Sequence, residues 1–186
     1  SGAQVNVGSI VASTMEAKEN KDGTYDFLGN DKSTGSVINE GTIITNHGLD
    51  PNTIKEQGGL VALLASNVEN KGIITNNAME APGLTVLAAA QNVRNLSVNK
   101  VDVDFDGSGK INLAVDGTVM NAAAINSGTI SANGGYVVMT ARAANGVLNT
   151  VVNNSGTITA HRLWKNDKGE ILLDGGGKIS LDGGDN

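Results

Sequence analysis

The sequence contains no cysteine, only two prolines, and aromatic residues at just 3% of its 186 positions. Without cysteine the chain has neither a disulfide framework nor a thiolate metal site. Its apolar runs fall well short of the ~18 residues that a membrane-spanning helix needs. No run of basic residues is interleaved with aromatics, so we expect no nucleic-acid-binding surface. The available core residues are Val, Ile, Leu and Ala, whose sizes suit a narrow, layered interior.

Glycine, at 25 residues, is abundant and recurs with asparagine in short repeated units. An Asn-x-Gly-x-Ile unit occurs at residues 39–43, 70–74, 126–130 and 154–158. A Gly-x-Val-x-Leu-like unit occurs at 59–63, 135–139 and 169–173, with a looser version at 83–87. Short apolar runs that alternate with glycine corners and repeat with spacers are typical of a β-solenoid.

The spacing of the repeats predicts the length of a coil. The glycines at 41, 72, 128 and 156 are 31, 56 and 28 residues apart, and 56 is twice 28. These intervals indicate a pitch in the twenties per coil, with insertions. Three short strands and three corners need about that length, at roughly 3.3 Å per strand residue. We therefore predict an all-β, three-sided parallel β-solenoid that forms a single domain over residues 1–186.

The corners of this solenoid are the candidate structural sites. Glycine at a corner permits a positive φ, and asparagine can bond local backbone and stack on its counterpart in the next coil. The predicted corner residues are Asn39, Gly41, Asn70, Gly72, Asn126, Gly128, Gly134, Gly135, Asn154 and Gly156.

Several segments interrupt or end the repeat. Residues 13–35 are polar and charged, and we predict a hairpin that leaves the stack and lies on its flank. Helix is disfavoured there because Gly23 and Gly29 bracket the apolar residues 25–28. Residues 93–98, 171–174 and 178–182 are interpreted as further strands, and 161–186 as terminal coils. Because a strand-like pattern is already present at Ser1, we expect the chain to be a fragment of a longer protein.

One acidic stretch imitates a calcium site. Asp102, Asp104 and Asp106 precede Gly107 in the order of a calcium loop, but the twelfth position holds Leu113 where Glu is required. The same residues alternate with apolar ones as a strand does, so a solvated strand face and turn is the favoured interpretation. We predict no metal-binding residue.

No catalytic constellation is visible elsewhere. His47 and His161 have no partner residues at ligand spacing. Paired carboxylates of a glycosidase can meet only in the fold, so a carbohydrate-active β-helix is the enzymatic alternative. Trp164 stands alone in a polar insert, either as a ligand anchor or as packing for a terminal loop. We expect a protein that is not an enzyme and binds no cofactor.

Six segments taken in order resemble a known family: SGAQVNVGSIVAST, VINEGTI, GGLVALLASNVENKG, FDGSGKINLAVDG, GGYVVMTARAA and VVNNSGTITA. They are similar to the amino-terminal secretion and haemagglutination-activity region of filamentous-haemagglutinin-like exoproteins, the TpsA proteins of bacterial two-partner secretion. The similarity covers nearly the whole chain and is weakest at 16–36 and 162–168. An Asn-Pro-Asn-Gly turn found in that region of the family is missing here.

The resemblance implies a right-handed parallel β-helix that crosses the outer membrane through a TpsB-type β-barrel transporter. It also implies a secreted or cell-surface adhesin or virulence factor, whose host receptor or glycan the sequence does not identify. Some relatives act instead in haem acquisition, contact-dependent inhibition or cytolysis, so a haem-binding or host-protein-binding module is a further alternative. An exposed open end of the stack would also permit self-association.

Overall fold

The computed structural model describes residues 2–29, 35–45, 59–77, 83–96, 122–142 and 152–160 in full, together with the backbone of short strands outside these ranges. These described residues form β-strands and connecting segments, without helix. Within the same residues, therefore, no helix could cross a membrane.

The first twelve strands, in chain order, are β1 (Gln4–Val7), β2 (Ile10–Ser13), β3 (Glu16–Glu19), β4 (Tyr25–Leu28), β5 (Ser36–Asn39), β6 (Thr42–Thr45), β7 (Leu49–Asp50), β8 (Lys55–Glu56), β9 (Leu60–Ala65), β10 (Asn67–Asn70), β11 (Ile73–Thr75) and β12 (Leu84–Ala89). The remaining strands are β13 (Asn92–Leu96), β14 (Val103–Asp104), β15 (Lys110–Ile111), β16 (Ala114–Asp116), β17 (Ala123–Asn126), β18 (Thr129–Ser131), β19 (Tyr136–Ala141), β20 (Val152–Asn154), β21 (Thr157–Thr159), β22 (Arg162–Lys165), β23 (Ile171–Asp174) and β24 (Ile179–Gly183).

Three parallel sheets make up the body of the protein. Sheet 1 has the order β1-β6-β11-β18-β21, sheet 2 the order β2-β9-β12-β19-β24, and sheet 3 the order β5-β10-β17-β20. The chain visits them cyclically, from sheet 3 to sheet 1 to sheet 2, and each return adds a strand beside the previous one. This connectivity is that of a parallel β-helix with three strands per coil, which we call the three-sided coil.

The aliphatic ladder inside the coil follows from the register of the strands. Val5, Ile43, Ile74, Ile130 and Ile158 occupy one position in successive strands of sheet 1. The three central members are 6% exposed or less and pack with residues of sheets 2 and 3. The prediction of an all-β parallel β-helix is confirmed, and its handedness stays a prediction.

The interval of 56 residues between two repeats contains one coil and not two. Because 56 is twice 28, the sequence suggested an intervening coil, and that interpretation is wrong. Instead β10 pairs directly with β17, so that Asn70 lies beside Asn126. The single coil between these strands is long because it carries the inserted strands β13 to β16.

Two segments that resemble coil strands lie outside the three sheets. The prediction that residues 93–98 continue the series is wrong for 93–96, because β13 pairs antiparallel with β4 and β16, while 97 and 98 lie outside the described residues. The Gly-x-Val-x-Leu-like unit at 169–173 was also predicted to contain a coil strand, and this is wrong because β23 pairs antiparallel with β22. The next strand of sheet 2 is β24, which pairs in parallel with β19. Two further antiparallel pairs, β7 with β8 and β14 with β15, are short.

The polar segment at 13–35 contains the predicted hairpin, made of β3 and β4. This hairpin continues into a four-stranded antiparallel sheet of order β16-β13-β4-β3, which we call the flanking sheet. Its side chains Phe27, Val93 and Leu96 are buried against residues of sheet 2. The hairpin is therefore a structural cover and is not a free appendage.

The flanking sheet explains the apolar composition of sheet 2. Strands β9, β12 and β19 are buried at every position. One set of alternate side chains, including Leu63 and Leu87, faces the coil interior, while the other set, including Leu64 and Val86, packs under the flanking sheet. A parallel strand that is covered on both faces has a continuous apolar sequence, and this is the pattern of LVALLA and YVVMTA.

Covering on both faces predicts that neighbouring leucines of β9 contribute alike to stability. Leu63→Ala removes contacts inside the coil, and Leu64→Ala removes contacts beneath the flanking sheet, where the residue is 0% exposed. We expect each to lower the free energy of unfolding by about 2–5 kcal/mol in urea denaturation. Ile73→Ala, at a 47% exposed position, is the control and should stay within about 0.5 kcal/mol. A small effect of Leu64→Ala alone would contradict the double burial.

Candidate functional site

The asparagine corner is the most regular feature of the protein. Asn39, Asn70, Asn126 and Asn154 end the four strands of sheet 3 and lie at equivalent positions in register. The side-chain Nδ2 of each of the first three donates a hydrogen bond to Oδ1 of the next asparagine, at 2.7 Å, 2.8 Å and 2.7 Å in turn. Asn70 and Asn126 are fully buried. The four carboxamides form a continuous ladder along the coil axis.

The backbone at this corner repeats the same hydrogen bonds from coil to coil. The N–H groups of Lys71 and Gly72 both donate to the Asn39 carbonyl, each at 2.9 Å. The Ile73 N–H then donates to the Gly41 carbonyl, also at 2.9 Å. The coils that begin with Asn126 and Asn154 show equivalent bonds, so the corner is one motif copied along the axis.

Glycine is required at this corner because the coils approach too closely for a side chain. A Cβ added at Gly72 would overlap the carbonyl oxygen of Gly41, and one at Gly128 would overlap that of Gly72. Gly156 meets Gly128 in the same way. The reason is therefore the close approach of backbones, and φ is not positive at any of these glycines.

The corner that leads into sheet 2 uses glycine differently. Gly134 has a φ of +76°, which favours glycine, and the Gly135 N–H donates to the Ala132 carbonyl at 2.8 Å to close a turn. A Cβ on Gly135 would crowd the backbone of Gly83 in the preceding coil. The predicted corner at Gly134 and Gly135 thus combines a left-handed residue with a close approach.

Asn76, which the sequence did not single out, completes this second corner. Its fully buried carboxamide accepts from the Gly59 N–H at 3.1 Å and donates to the Gly59 carbonyl at 3.0 Å. One side chain thus pairs with both polar groups of a backbone unit, as a neighbouring strand would. A usable signal was its place directly after a repeat strand, at the same register position as the buried Thr45.

Asp26 is the second residue that sequence reasoning missed. Between the pairs Phe27–Val93 and Tyr25–Leu96, it faces two residues of β13, Arg94 and Asn95, which form a β-bulge. Its carboxylate accepts hydrogen bonds from the Asn95 N–H at 3.0 Å, from Arg94 Nη1 at 3.2 Å and from Asn20 Nδ2 at 2.9 Å.

The same carboxylate supports a strained backbone. Asn95 has a φ of +59°, a left-handed conformation that costs free energy in a residue other than glycine. Charge-assisted hydrogen bonds are stronger than neutral ones, so the Asp26 carboxylate offsets this cost at the bulge. The hydrogen bonds from Asn20 and from the Asn95 backbone, followed by the charge of Arg94, lower the pKa of Asp26 below its ordinary value of 3.8.

The remaining candidates are the residues considered above as metal or ligand sites. In the part of the chain that the structure describes, no three His, Cys, Asp or Glu residues come together to hold a metal ion. The side chains of His47, Asp102, Asp104, Asp106, Leu113, His161 and Trp164 lie outside the described residues. The pKa of Asp22 is also lowered, mainly by the hydrogen bond from the Thr24 hydroxyl at 2.7 Å.

This geometry can be compared with known proteins. No protein-family model and no curated protein matches the sequence. A solved structure with this fold is the HMW1 secretion domain from Haemophilus influenzae. The TM-score is 0.60 at 22% sequence identity, and the match covers 98% of this chain. The chain spans 41% of the length of that protein, and the likeness at this identity shows a shared fold.

The asparagine ladder predicts unequal effects at its centre and its end. Asn126→Ala removes the acceptor of Asn70 Nδ2 and the donor to Asn154, inside a buried row. We expect it to lower the free energy of unfolding by about 2–3 kcal/mol, because a buried amide loses its best partner. Asn154→Ala, at an exposed position, should cost about 1 kcal/mol or less. Urea denaturation of both variants tests this, and equal effects would refute the ladder as a buried network.

The lowered pKa of Asp26 predicts a loss of stability in acid. A carboxyl whose pKa is lower in the folded state stabilises the fold above its unfolded value of 3.8, and this contribution disappears as the pH falls through the folded pKa. We expect Asp26→Asn to flatten the decline of the urea midpoint between about pH 5 and pH 2. Asp22→Asn is the comparison for a turn carboxylate whose pKa is also lowered, mainly by hydrogen bonds from Thr24. An unchanged decline in Asp26→Asn would refute the prediction.

Proposed function

We propose that this chain is a β-helical secretion domain of a two-partner-secretion exoprotein, exported through a TpsB-type β-barrel of the outer membrane. The observation that supports it best is the fold likeness, over 98% of the chain, to a protein described as a secretion domain. The six segments similar to filamentous-haemagglutinin-like exoproteins support the same assignment independently, because they are a similarity of sequence and not of fold.

The repeated corner suggests how such a domain would move outward. Each coil presents polar groups that the next coil pairs: the Gly72 carbonyl accepts from the Thr129 N–H, and Asn70 Nδ2 donates to Asn126 Oδ1. A chain that emerges unfolded can add one coil at a time to the existing edge. The free energy of each addition then opposes backward movement, so folding outside the cell would drive export without nucleotide hydrolysis.

We further propose that the domain is not an enzyme and acts as a rigid scaffold for the attachment regions of its parent adhesin. A glycosidase needs a carboxyl group with a raised pKa as its general acid. The two described carboxyls with a shifted pKa, Asp22 and Asp26, are shifted downward and accept hydrogen bonds from neighbouring residues. These two groups suit structural roles in a turn and a bulge.

Export can be tested with the chain fused to an unfolded reporter and expressed with the β-barrel transporter of the same two-partner system. We expect the reporter in the medium only when the transporter is present. Asn126→Ala should reduce the amount exported, because coil addition becomes less favourable, while Ile73→Ala should leave it unchanged. Retention of the unsubstituted chain in the periplasm despite a functional transporter would contradict the proposal.

A further inference from the structure

The outer face of sheet 2 is an apolar surface that needs a cover. Its side chains, each 9% exposed or less, form one cluster with Phe27, Val93 and Leu96 of the flanking sheet. The sheet 2 members of this cluster are Leu60, Ala62, Leu64, Leu84, Val86, Ala88, Tyr136 and Val138. Removal of the flanking sheet would expose this surface to water, while the coil interior on the opposite face of the same strands would stay buried.

The cover is assembled from two inserts that are distant in sequence. One insert is the β3–β4 hairpin, between β2 and β5, and the other contains β13 and β16, between β12 and β17. Both inserts leave the coil where the chain passes from sheet 2 to sheet 3, so both can fold back over sheet 2. An isolated two-stranded hairpin is marginally stable in water, so the first insert depends on the second.

The two inserts meet along the pairing of β4 with β13, which we call the seam. The seam has backbone pairs on both sides of the bulge, and the Gly29 N–H donates to the Gln91 carbonyl at 2.8 Å. In its middle, the Asp26 carboxylate replaces the interrupted ladder by bonding to Arg94 and to the Asn95 N–H. The side chain of Asp26 is 15% exposed and that of Arg94 is 41% exposed, so the carboxylate is only partly shielded from solvent.

We infer that the flanking sheet is a lid that opens at the seam while the three-sided coil stays folded, with Asp26 as the clasp that holds the lid closed. The asparagine ladder and the repeated corner bonds join coil to coil and do not involve the flanking sheet. Loss of the seam therefore leaves the hydrogen bonding of the coil intact. The flanking sheet has one seam, whereas the corner bonds repeat along the coil, so we expect the lid to open at a lower free energy than the coil.

The chemistry of the opened surface follows from its residues. Among the described residues it consists of aliphatic side chains together with Tyr136 and, by strand alternation, the buried Thr140 of β19. In the closed state this surface is covered by the apolar face of the flanking sheet. In the open state it would bind an apolar dye such as ANS. This inference concerns the folded chain alone and does not rest on export.

Hydrogen exchange measured by mass spectrometry tests the lid on the full chain. Asp26→Ala should raise the exchange rates of residues 16–28 and 92–96 by about tenfold or more, while residues 67–75 and 122–131 keep their rates. ANS fluorescence should rise in the same variant. Asp22→Ala is the matched control, because this aspartate lies in the turn of the same hairpin and accepts hydrogen bonds from Thr24 of that turn. It should leave both inserts protected.

An engineered disulfide provides the rescue. Leu28 and Asn92 are paired across the seam, and the chain has no cysteine of its own. In Asp26→Ala with Leu28→Cys and Asn92→Cys, oxidation should restore slow exchange in both inserts and abolish ANS binding, and reduction should reverse both effects. Paired antiparallel residues lie about 4.5–5.5 Å apart, which suits a disulfide.

Two outcomes would overturn the inference. Unchanged exchange at 16–28 and 92–96 in Asp26→Ala would show that the carboxylate does not hold the seam. Equal loss of protection in lid and coil, both in Asp26→Ala and in the milder Arg94→Ala, would show that the two open as one unit. Fast exchange confined to the inserts, reversed by the disulfide, is the result that the structure leads us to expect.

Discussion

The close contact of one coil with the next at the Asn-x-Gly corner is the constraint on which the rest of this structure depends. Backbone carbonyls such as that of Gly41 lie where a Cβ of Gly72 would be. This approach lets the Ile73 N–H reach the coil before it and keeps the carboxamides of Asn39 and Asn70 in hydrogen-bond contact. The corner thus sets the spacing and the register of all three parallel sheets, and the aliphatic ladders inside the coil follow from that register.

This dependence explains which parts of the fold the sequence predicts. The corner needs particular residue types at fixed local spacing, so Asn126, Gly128 and their counterparts are visible as a repeat in the sequence alone. Alternation within the short strands then assigns residues such as Ile130 to the interior. Both are local signals, since they depend on glycine having no side chain and on the two-residue period of a strand. The coil was predictable for this physical reason.

The parts that the sequence did not predict depend on contacts between distant residues. Insertion length costs little free energy, because loop closure depends weakly on loop length, so intervals between repeats do not count coils. Apolar strands look alike whether they enter a parallel or an antiparallel sheet, and β23 therefore resembled a coil strand. The pairing of Asp26 with the bulge at Asn95 spans 69 residues and has no local pattern. Asn76 is intermediate, since its position is local but its partner, Gly59, lies across a corner.

The repeated corner of the coil and the seam of the flanking sheet contribute unequally to the stability of the protein. The coil is held by a motif repeated along its axis, so the loss of one rung leaves equivalent rungs on either side. The flanking sheet has one seam, a strained residue at its centre, and an apolar face whose burial requires both inserts. The strands of sheet 2 belong to both parts, because Leu63 supports the coil and Leu64 supports the cover. Alternate residues of these strands pack either in the coil interior or against the flanking sheet. The coil can therefore stay folded while the flanking sheet opens, and this arrangement is the physical basis for a lid on an otherwise uniform coil.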